Sequence, residues 1–380
     1  MKIVFFSNFL NHHQVAVADE LYKLTEGKYR FIETMPIPEA LKKSGYPDFS
    51  FKPYIIKAYK NGYEYQLAEK LARESNVAIF GWIGLEHFEK IRARTKKIAF
   101  QCNERWLKRG LINFLSPNFQ KWLWNYYLNL RNSPFYMLCA SAYASSDLHS
   151  FAAYNNRCYK WGYFLQTEDI DIQKILLNKQ KQPFSIIWVG RFLNWKHPEI
   201  PIKMSKILHN KGYEFTLNMY GSGKLLKKTK HMINKEGLSN IISLRGNLPN
   251  KDLLLEMQEH HILLVTSDRN EGWGAVINEA MNNGCTVVGA KAIGSIPYLI
   301  KDKKNGCIFR DMQSLIHSVE YLINHRELCE EYARKAYSTI RDFWGPQVAA
   351  NNFLKLIECL TNGQETTITE GPCSKATPFI

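Results

Sequence analysis

The sequence predicts an α/β protein of two domains, each built around a mainly parallel β-sheet. Short apolar runs alternate with amphipathic segments from the N-terminus onward, a pattern typical of strands joined by crossover helices. The same alternation restarts near Phe184, after a polar segment. A chain of 380 residues is also long for one hydrophobic core, so we expect two cores.

In the first half, the predicted strands are short apolar runs, and the predicted helices repeat their apolar residues every three or four positions. The predicted strands span residues 3–6, 29–34, 77–80, 97–101 and 135–140. The predicted helices span residues 15–25, 64–74 and 143–154.

The second half repeats this order. Its predicted strands span residues 184–189, 214–220, 241–244, 261–265 and 286–288. Its predicted helices span residues 199–211, 224–236, 251–259 and 275–282, and the last of them is closed by Asn283 and Gly284. A further helix at 347–359 follows the helix-breaking Gly345 and Pro346.

We therefore expect an N-terminal domain at 1–165 and a C-terminal domain at 166–345, with the boundary in the polar segment 166–182. Residues 346–362 are expected to form a helix that packs back on the N-terminal domain. The tail 363–380 is rich in Thr, Gly and Pro, and we expect it to be mobile.

Composition excludes global disorder, because 45% of the residues are hydrophobic and 13% are aromatic. The net charge of +15 favours anionic partners, such as phosphorylated substrates, acidic lipid head groups or nucleic acid. No nucleic-acid motif accompanies this charge, and we expect no nucleic-acid partner.

The eight cysteines have no zinc or redox spacing, which favours free thiols in a reducing compartment. The chain opens directly on a strand, without a signal-peptide pattern, and no apolar run reaches the roughly 20 residues that span a bilayer. We expect a cytoplasmic protein that can lie at the inner face of a membrane.

Two post-strand loops of the second half carry candidate phosphate ligands. Arg191 and Lys196 follow the first strand and suit a diphosphate, although solvated loop charges would look the same. Gly221 and Gly223 form a G-x-G turn after the next strand, where the backbone can approach a phosphate. The full dinucleotide fingerprint is absent, so an ordinary tight turn is the alternative.

The segment from Glu271 to Glu279 joins a predicted strand to a predicted helix. The backbone amides of Gly272, Trp273 and Gly274 lead into the helix N-terminus, which stabilises anions. Carboxylates accept hydrogen bonds from hydroxyl groups. Glu271 is therefore suited to bind a sugar, and Glu279 to bind a ribose diol. The alternative is an acid at a helix start followed by a surface glutamate.

Taken together, the order Gly190-Arg191…Lys196, the Gly221 turn and two glutamates separated by seven residues resembles the retaining glycosyltransferases of family 4. The resemblance covers most of residues 184–350. It implies the GT-B fold, in which two Rossmann-like domains face each other across a cleft.

The resemblance also implies tasks for the matched residues. Arg191 and Lys196 would hold the donor diphosphate, Glu271 would face the donor sugar and Glu279 would bind the nucleotide ribose. Contacts to the base would come from backbone near Asn247.

The N-terminal half matches this family less closely, because residues 8–14 replace its glycine-rich loop. His12 and His13 in that loop are candidate acceptor ligands or structural loop histidines. Glu104 and Arg105 follow a predicted strand and are candidates for contacts with acceptor or donor phosphate.

The stretch 105–131 combines aromatic and basic residues, which favours a membrane interface or a lipid-linked acceptor. A helix buried on the N-terminal sheet is the alternative. We expect neither a metal site nor a cofactor, since Asp169-Ile170-Asp171 lies in the polar segment and the paired histidines lack further ligands.

The predicted function is transfer of a hexose-type sugar from a nucleotide-diphosphate-sugar to a glycan or lipid-linked glycan, in synthesis of a cell-surface polysaccharide or glycoconjugate. A nucleotide-sugar epimerase of similar fold and a non-catalytic glycan-binding protein are the alternatives.

Overall fold

The computed structural model describes residues 1–43, 46–81, 83–166 and 169–379. The chain forms two α/β units. One contains residues 1–166 and the segment from Phe343 onward, and the other contains the chain between them. The C-terminal segment therefore belongs with the N-terminal half.

The N-terminal unit contains a seven-stranded parallel sheet in the order β3-β2-β1-β4-β5-β6-β7. The interior strand β1, between β2 and β4, is buried at all five positions, as expected for a strand inside a parallel sheet. The strands are β1 (Ile3–Ser7), β2 (Tyr29–Glu33), β3 (Ile55–Lys57), β4 (Val77–Phe80), β5 (Ala99–Asn103), β6 (Phe135–Cys139) and β7 (Cys158–Lys160).

The helices of the first half of the chain follow these strands. They are α1 (Val15–Leu24), α2 (Glu39–Lys43), α3 (Gly62–Glu74), α4 (Glu86–Ala93), α5 (Pro117–Asn125) and α6 (Ala144–His149). A 3₁₀ segment, Gly110–Leu115, precedes α5, and a π-helical turn, Tyr126–Leu130, continues it.

The C-terminal unit contains a six-stranded parallel sheet in the order β10-β9-β8-β11-β12-β13. Numbered within the unit, this order is 3-2-1-4-5-6, which is the Rossmann order. The strands are β8 (Ser185–Val189), β9 (Thr216–Tyr220), β10 (Ile242–Gly246), β11 (Ile262–Val265), β12 (Thr286–Ala290) and β13 (Gly306–Phe309).

The helices of the second half complete the C-terminal unit, and α15 returns to pack on α1 of the N-terminal unit. They are α7 (Ile172–Gln180), α8 (Glu199–Asn210), α9 (Leu226–Lys235), α10 (Asn250–Glu259), α11 (Ala275–Asn282), α12 (Ile296–Leu299), α13 (Met312–Asn324), α14 (Arg326–Ser338) and α15 (Pro346–Thr361).

The tail after α15 differs from the expectation of a mobile segment. Lys160 N donates to Ser374 O at 2.8 Å, and Cys373 N donates to Lys160 O at 2.7 Å. Tyr159 and Lys375 form an antiparallel bridge, and Cys373 is fully buried. The tail is ordered because the edge strand β7 offers it backbone partners that composition alone does not reveal.

None of the helices within the described ranges is long and apolar enough to cross a membrane. All eight cysteines are free thiols.

A buried polar network centres on Glu89 in α4. Its carboxylate oxygens accept from Gln101 Nε2 at 2.5 Å and from Asn125 Nδ2 at 2.6 Å. Gln101 Oε1 in turn accepts from Trp122 Nε1 and Tyr154 Oη, both at 2.9 Å. Burial raises the pKa of Glu89 to about 7, and the two amide donors oppose that rise.

This network predicts a pH-dependent stability. The pKa of Glu89 in the folded protein exceeds the ordinary value of 4.5, so the folded state holds the proton more tightly than the unfolded chain. The resulting stability is present at low pH and is lost as the pH rises through the window from 4.5 to about 7. We expect the free energy of unfolding, relative to Glu89→Gln, to fall by up to about 3 kcal/mol across that window.

Urea unfolding of wild type and variant near pH 5 and pH 8 measures this difference. The exposed Glu358→Gln in α15 of the same unit is the control. A difference between wild type and Glu89→Gln that does not change with pH would contradict the prediction.

Candidate active site

The candidate site lies at the carboxyl edge of the second sheet, where the strand order reverses. β8 pairs with β9 on one side and with β11 on the other. The connections that leave β8 and β11 therefore run in opposite directions and leave a crevice, which is where open α/β sheets bind ligands. These connections are residues 190–198 and 266–274.

The two connections meet through an ion pair. Lys196 Nζ donates to Glu271 Oε2, and their side chains are only 12% and 14% exposed. Ser267 Oγ donates to the same carboxylate oxygen at 3.1 Å. Lys196 and Glu271, for which the sequence predicts separate tasks, are in direct contact.

Buried hydrogen bonds hold the two loops in this position. Thr266 Oγ1 donates to Lys196 O at 2.7 Å and accepts from Trp188 Nε1 at 2.9 Å. Asp268 N donates to Trp195 O at 2.9 Å. The backbone of the lysine loop is thus attached to the loop that carries the glutamate.

Arg191 and Lys196 both lie close to the indole of Trp195. The Arg191 guanidinium is 5.6 Å from the centre of the Trp195 ring, and Lys196 Nζ is 4.5 Å from it. Arg191 is exposed and stays accessible to an anion, whereas Lys196 is engaged with Glu271. The site therefore holds an exposed cation beside a partly buried one.

Gly221 has a packing role that its turn motif did not reveal. Its φ is +131°, and a Cβ atom there would lie 2.0 Å from Gly190 O. Gly221 N donates to Gly246 O at 2.7 Å, and Asn247 Nδ2 donates to Ser222 Oγ at 3.2 Å. These contacts align the loops after β8, β9 and β10 along one edge of the sheet.

The segment before α11 is more enclosed than the sequence predicts. Gly272, Trp273 and Gly274 are buried, and Trp273 Nε1 donates to Asn278 Oδ1 at 2.8 Å. Gly274 caps the helix with φ +89°, a left-handed conformation that favours glycine. The Trp273 side chain is therefore a core residue, and only backbone in this segment is suited to bind a donor.

Glu279 lies in α11, beyond this turn. Asn250 Nδ2, at the start of α10, donates to Glu279 Oε1 at 3.0 Å. Burial raises the pKa of Glu279, and the bond from Asn250 opposes that rise. The carboxylate is thus oriented by its neighbour.

In the N-terminal unit, His13 and Glu104 are linked through Tyr163. The His13 ring stacks on Tyr163 at 4.7 Å, and Tyr163 Oη donates to Glu104 Oε1 at 2.5 Å. Lys108 Nζ also donates to Glu104, at 2.5 Å. Both elements leave the carboxyl edge of the first sheet, after β1 and after β5.

Burial lowers the pKa of His12 and lowers that of His13 to about 3, with the neighbouring His12 adding to the latter shift. Both rings are therefore neutral at neutral pH. Their buried Nδ1 atoms have no hydrogen-bond partner within the described part of the chain. Neutral rings suit a sugar hydroxyl better than a phosphate.

Arg105 forms an ion pair within the N-terminal unit that the sequence does not reveal. Its guanidinium donates to Asp147 Oδ1 at 3.1 Å, and the two side chains are 8% and 5% exposed. Leu107 N donates to the other Asp147 oxygen at 2.9 Å. The pair holds the segment after β5 against α6.

The acidic pair in the polar segment also has structural tasks. Asp171 accepts from Lys174 N at 3.0 Å and caps α7, and Asp169 pairs with Arg341 at 2.6 Å. Across the ranges that the structure describes, no group of three or more His, Cys, Asp and Glu side chains could hold a metal ion.

Three further residues that the sequence did not predict contact the candidate site residues: Ser267, Trp195 and Asn250. Ser267 follows β11 by two residues, so its place after a strand end was a usable signal. Trp195 sits between the two predicted cations, where a stacking role could have been considered. Asn250 had no sequence signal, because its importance depends on contact with α11.

Solved structures define the class of this fold. The crystal structure of Anabaena HepE in complex with UDP has a TM-score of 0.68 and 16% identity, covering 95% of this chain and 100% of that one. Staphylococcus aureus TarM has a TM-score of 0.67 and 12% identity, covering 94% and 98%. Together with the two Rossmann-like sheets, these matches show the GT-B fold of glycosyltransferases.

Residues 169–339 match the family model of glycosyl transferases group 1, so the match lies in the C-terminal unit. Trehalose synthase of Pyrococcus horikoshii is 25% identical over 47% of this chain and 42% of its own length. Poly(glycerol-phosphate) alpha-glucosyltransferase of Bacillus subtilis is 24% identical over 49% of this chain and 27% of its own. The alignments thus span less than half of either relative.

Proposed function

We propose that this protein is a retaining hexosyltransferase, which moves a sugar from a nucleotide-diphosphate-sugar to a glycan or lipid-linked glycan in polysaccharide or glycoconjugate synthesis. The observation that carries the proposal is the contact of Lys196 with Glu271 at the switch point, inside the family-matching segment. Solved HepE structures hold UDP or UDP-glucose, which supports a UDP-sugar donor.

The cations act on the leaving group. A nucleoside diphosphate gains negative charge as its bond to the sugar breaks, and preorganised donors are most effective where such charge develops. Exposed Arg191 presents a planar donor fork, and Lys196 presents a point charge held in place by its loop. Backbone of the segment 272–274 would add helix-end donors.

Glu271 orients the donor sugar. A diphosphate that approaches Lys196 competes with Glu271 for the ammonium group. Once the lysine shifts toward the phosphate, a Glu271 oxygen becomes free to accept from a sugar hydroxyl, while Ser267 still fixes the carboxylate. The ion pair thereby links diphosphate binding to sugar binding.

Retention would follow from a front-face route. The anomeric bond to the diphosphate oxygen breaks, the acceptor oxygen forms its bond on the same face, and the acceptor proton passes to the departing phosphate. Neutral His12, neutral His13 and Glu104 would orient the acceptor hydroxyls. We propose that the two cations replace a metal, so that transfer persists in a chelator. The free cysteines support a cytoplasmic setting.

The test is incubation with a panel of UDP- and GDP-sugars and candidate glycans, with release of nucleoside diphosphate as the signal. Nuclear magnetic resonance of the product reads the anomeric configuration. Appearance of a sugar isomer without acceptor would instead indicate an epimerase. Glycan binding without nucleotide affinity in calorimetry would indicate a non-catalytic binding protein.

Glu279→Gln is expected to weaken nucleotide binding by about tenfold or more, because a hydrogen bond to a charged acceptor is lost. Since burial raises the pKa of Glu279, affinity should fall on acidification at a higher pH than an ordinary glutamate would produce. Calorimetry with UDP across pH measures both effects. Exposed Glu214→Gln is the control, and equal affinities of the two variants would refute the ribose assignment.

A further inference from the structure

Four large apolar side chains project into solvent from one stretch of the N-terminal unit. Ile112 is 68% exposed, Leu115 77%, Trp124 66% and Leu128 73%. We call these four residues the apolar patch. Exposed apolar side chains that cluster in this way mark an interaction surface, whereas singly scattered ones are ordinary.

Local geometry places the patch residues in two neighbouring pairs. Ile112 and Leu115 are three residues apart in a 3₁₀ segment, where such side chains lie one above the other. Trp124 and Leu128 are four apart, where α5 passes into the π-helical turn, and therefore lie close along the helix. Gln120 Nε2 donates to Phe114 O at 2.9 Å and connects the two elements.

The opposite side of α5 is anchored in the core. Phe119, Trp122 and Tyr126 are 2%, 6% and 4% exposed, and Trp122 Nε1 donates to Gln101 Oε1 at 2.9 Å. Trp122 therefore belongs to the buried face of the helix, and Trp124 belongs to its exposed face. The patch sits on a fixed helix.

The segment that carries the patch is basic. Residues 105–146 contain no Asp or Glu, an acid-free run that spans the patch completely. Exposed cations flank it at Arg109, Lys121 and Arg131. Lys121 keeps a 65% exposed side chain although Glu86, from α4, lies 3.3 Å from it.

We infer that the apolar patch docks on an anionic lipid bilayer. Trp124 lies at the interfacial depth that tryptophan prefers, the aliphatic residues enter the acyl boundary, and Arg109, Lys121 and Arg131 meet lipid phosphates. A neutral protein partner would not require exposed cations around the patch. Docking needs no sugar transfer and is independent of the proposed function.

The location of the patch also indicates which class of acceptor substrate the protein uses. This inference about the acceptor rests on the proposed function. The 3₁₀ segment with Ile112 and Leu115 continues the connection that leaves β5 and carries Glu104. A bilayer bound there lies beside a candidate acceptor ligand. The acceptor class is then a lipid-linked glycan in the same leaflet.

The test is flotation of the full chain with vesicles of phosphatidylcholine alone or mixed with phosphatidylglycerol. We expect binding only to the anionic vesicles, weakened by high salt. Trp124→Ser/Leu128→Ser should lower vesicle affinity by about tenfold or more, and Arg109→Glu/Arg131→Glu by about fivefold for each charge removed.

Leu255→Ser is the matched control, because Leu255 is a 53% exposed leucine on α10 of the other unit. It should bind vesicles as wild type does, and circular dichroism should show all variants folded. If Trp124→Ser/Leu128→Ser (the serine variant) does not fold, vesicle binding by Arg109→Glu/Arg131→Glu (the charge variant) still tests the inference.

The inference would be overturned if wild type, the serine variant and the charge variant all bound anionic vesicles equally well. It would also be overturned if wild type did not bind anionic vesicles. A concentration-dependent dimer that the patch variants abolish would also overturn it, because the patch would then be a self-association surface. Sugar transfer to a soluble acceptor is measured separately, so the two proposals fail independently.

Discussion

Lys196→Ala is expected to lower the turnover of sugar transfer by about 10²- to 10³-fold, the usual effect of removing one preorganised donor from developing charge. The variant loses the cation that stabilises the leaving diphosphate. It also leaves Glu271, whose side chain is 14% exposed, without its ion-pair partner, so an unpaired carboxylate would repel the incoming phosphate.

Release of nucleoside diphosphate under saturating donor measures this effect, and Lys203→Ala on the exposed face of α8 is the control. Adding Glu271→Gln to Lys196→Ala should restore part of the donor affinity, because the repelling charge is removed. Arg191→Ala leaves the ion pair between Lys196 and Glu271 intact, so its turnover measures the contribution of the exposed Arg191 separately. Near wild-type turnover in both Lys196→Ala and Arg191→Ala would overturn the site assignment.

Gly221→Ala is expected to cost about 3 kcal/mol or more in the free energy of unfolding. Two effects add: φ of +131° is strained for an L-residue, and the new Cβ would lie 2.0 Å from Gly190 O, a backbone atom that cannot rotate away. The loops after β8 and β9 would have to separate, so donor affinity should fall as well.

Gly237→Ala is the matched control. Gly237 also has a positive φ, +69°, but a Cβ there would meet nothing within 4 Å. Gly237→Ala should lower the free energy of unfolding by about 1 kcal/mol, the cost of the positive φ alone. Urea unfolding compares the two variants, and similar losses of stability would show that close approach to Gly190 is unimportant.

The fold was predictable because parallel sheets leave a strong local signal. The interior strands β1, apolar from Ile3 to Phe6, and β11, apolar throughout, are buried at every position. The three-residue strands β3 and β7 were not predicted as strands, since each is too short to carry a periodic pattern. Helix α4 was also missed; two of its four buried residues are Glu89 and Arg92, charged side chains that weaken its apolar face.

The candidate site likewise contains features that the sequence predicted and features that it did not. Arg191, Lys196 and Glu271 were predicted because each follows the carboxyl end of a strand, and parallel strands bring such ends to one edge. Arg105 carried the same signal, yet Asp147 occupies its guanidinium. A charged residue after a strand is therefore a candidate whose availability depends on a partner far along the chain.

Lys196 and Glu271 lie 75 residues apart, and their contact depends on β8 and β11 being neighbours in a sheet whose order is 3-2-1-4. The sequence by itself determined the α/β class, the restart in the second half and which loops carry charge, because those features follow from local periodicity and strand ends. Only the tertiary structure decided which charges are paired, that the tail joins β7, and that Trp124 rather than Trp122 faces solvent. Strand order and helix rotation select those partners, and both arise from packing between segments distant in the chain.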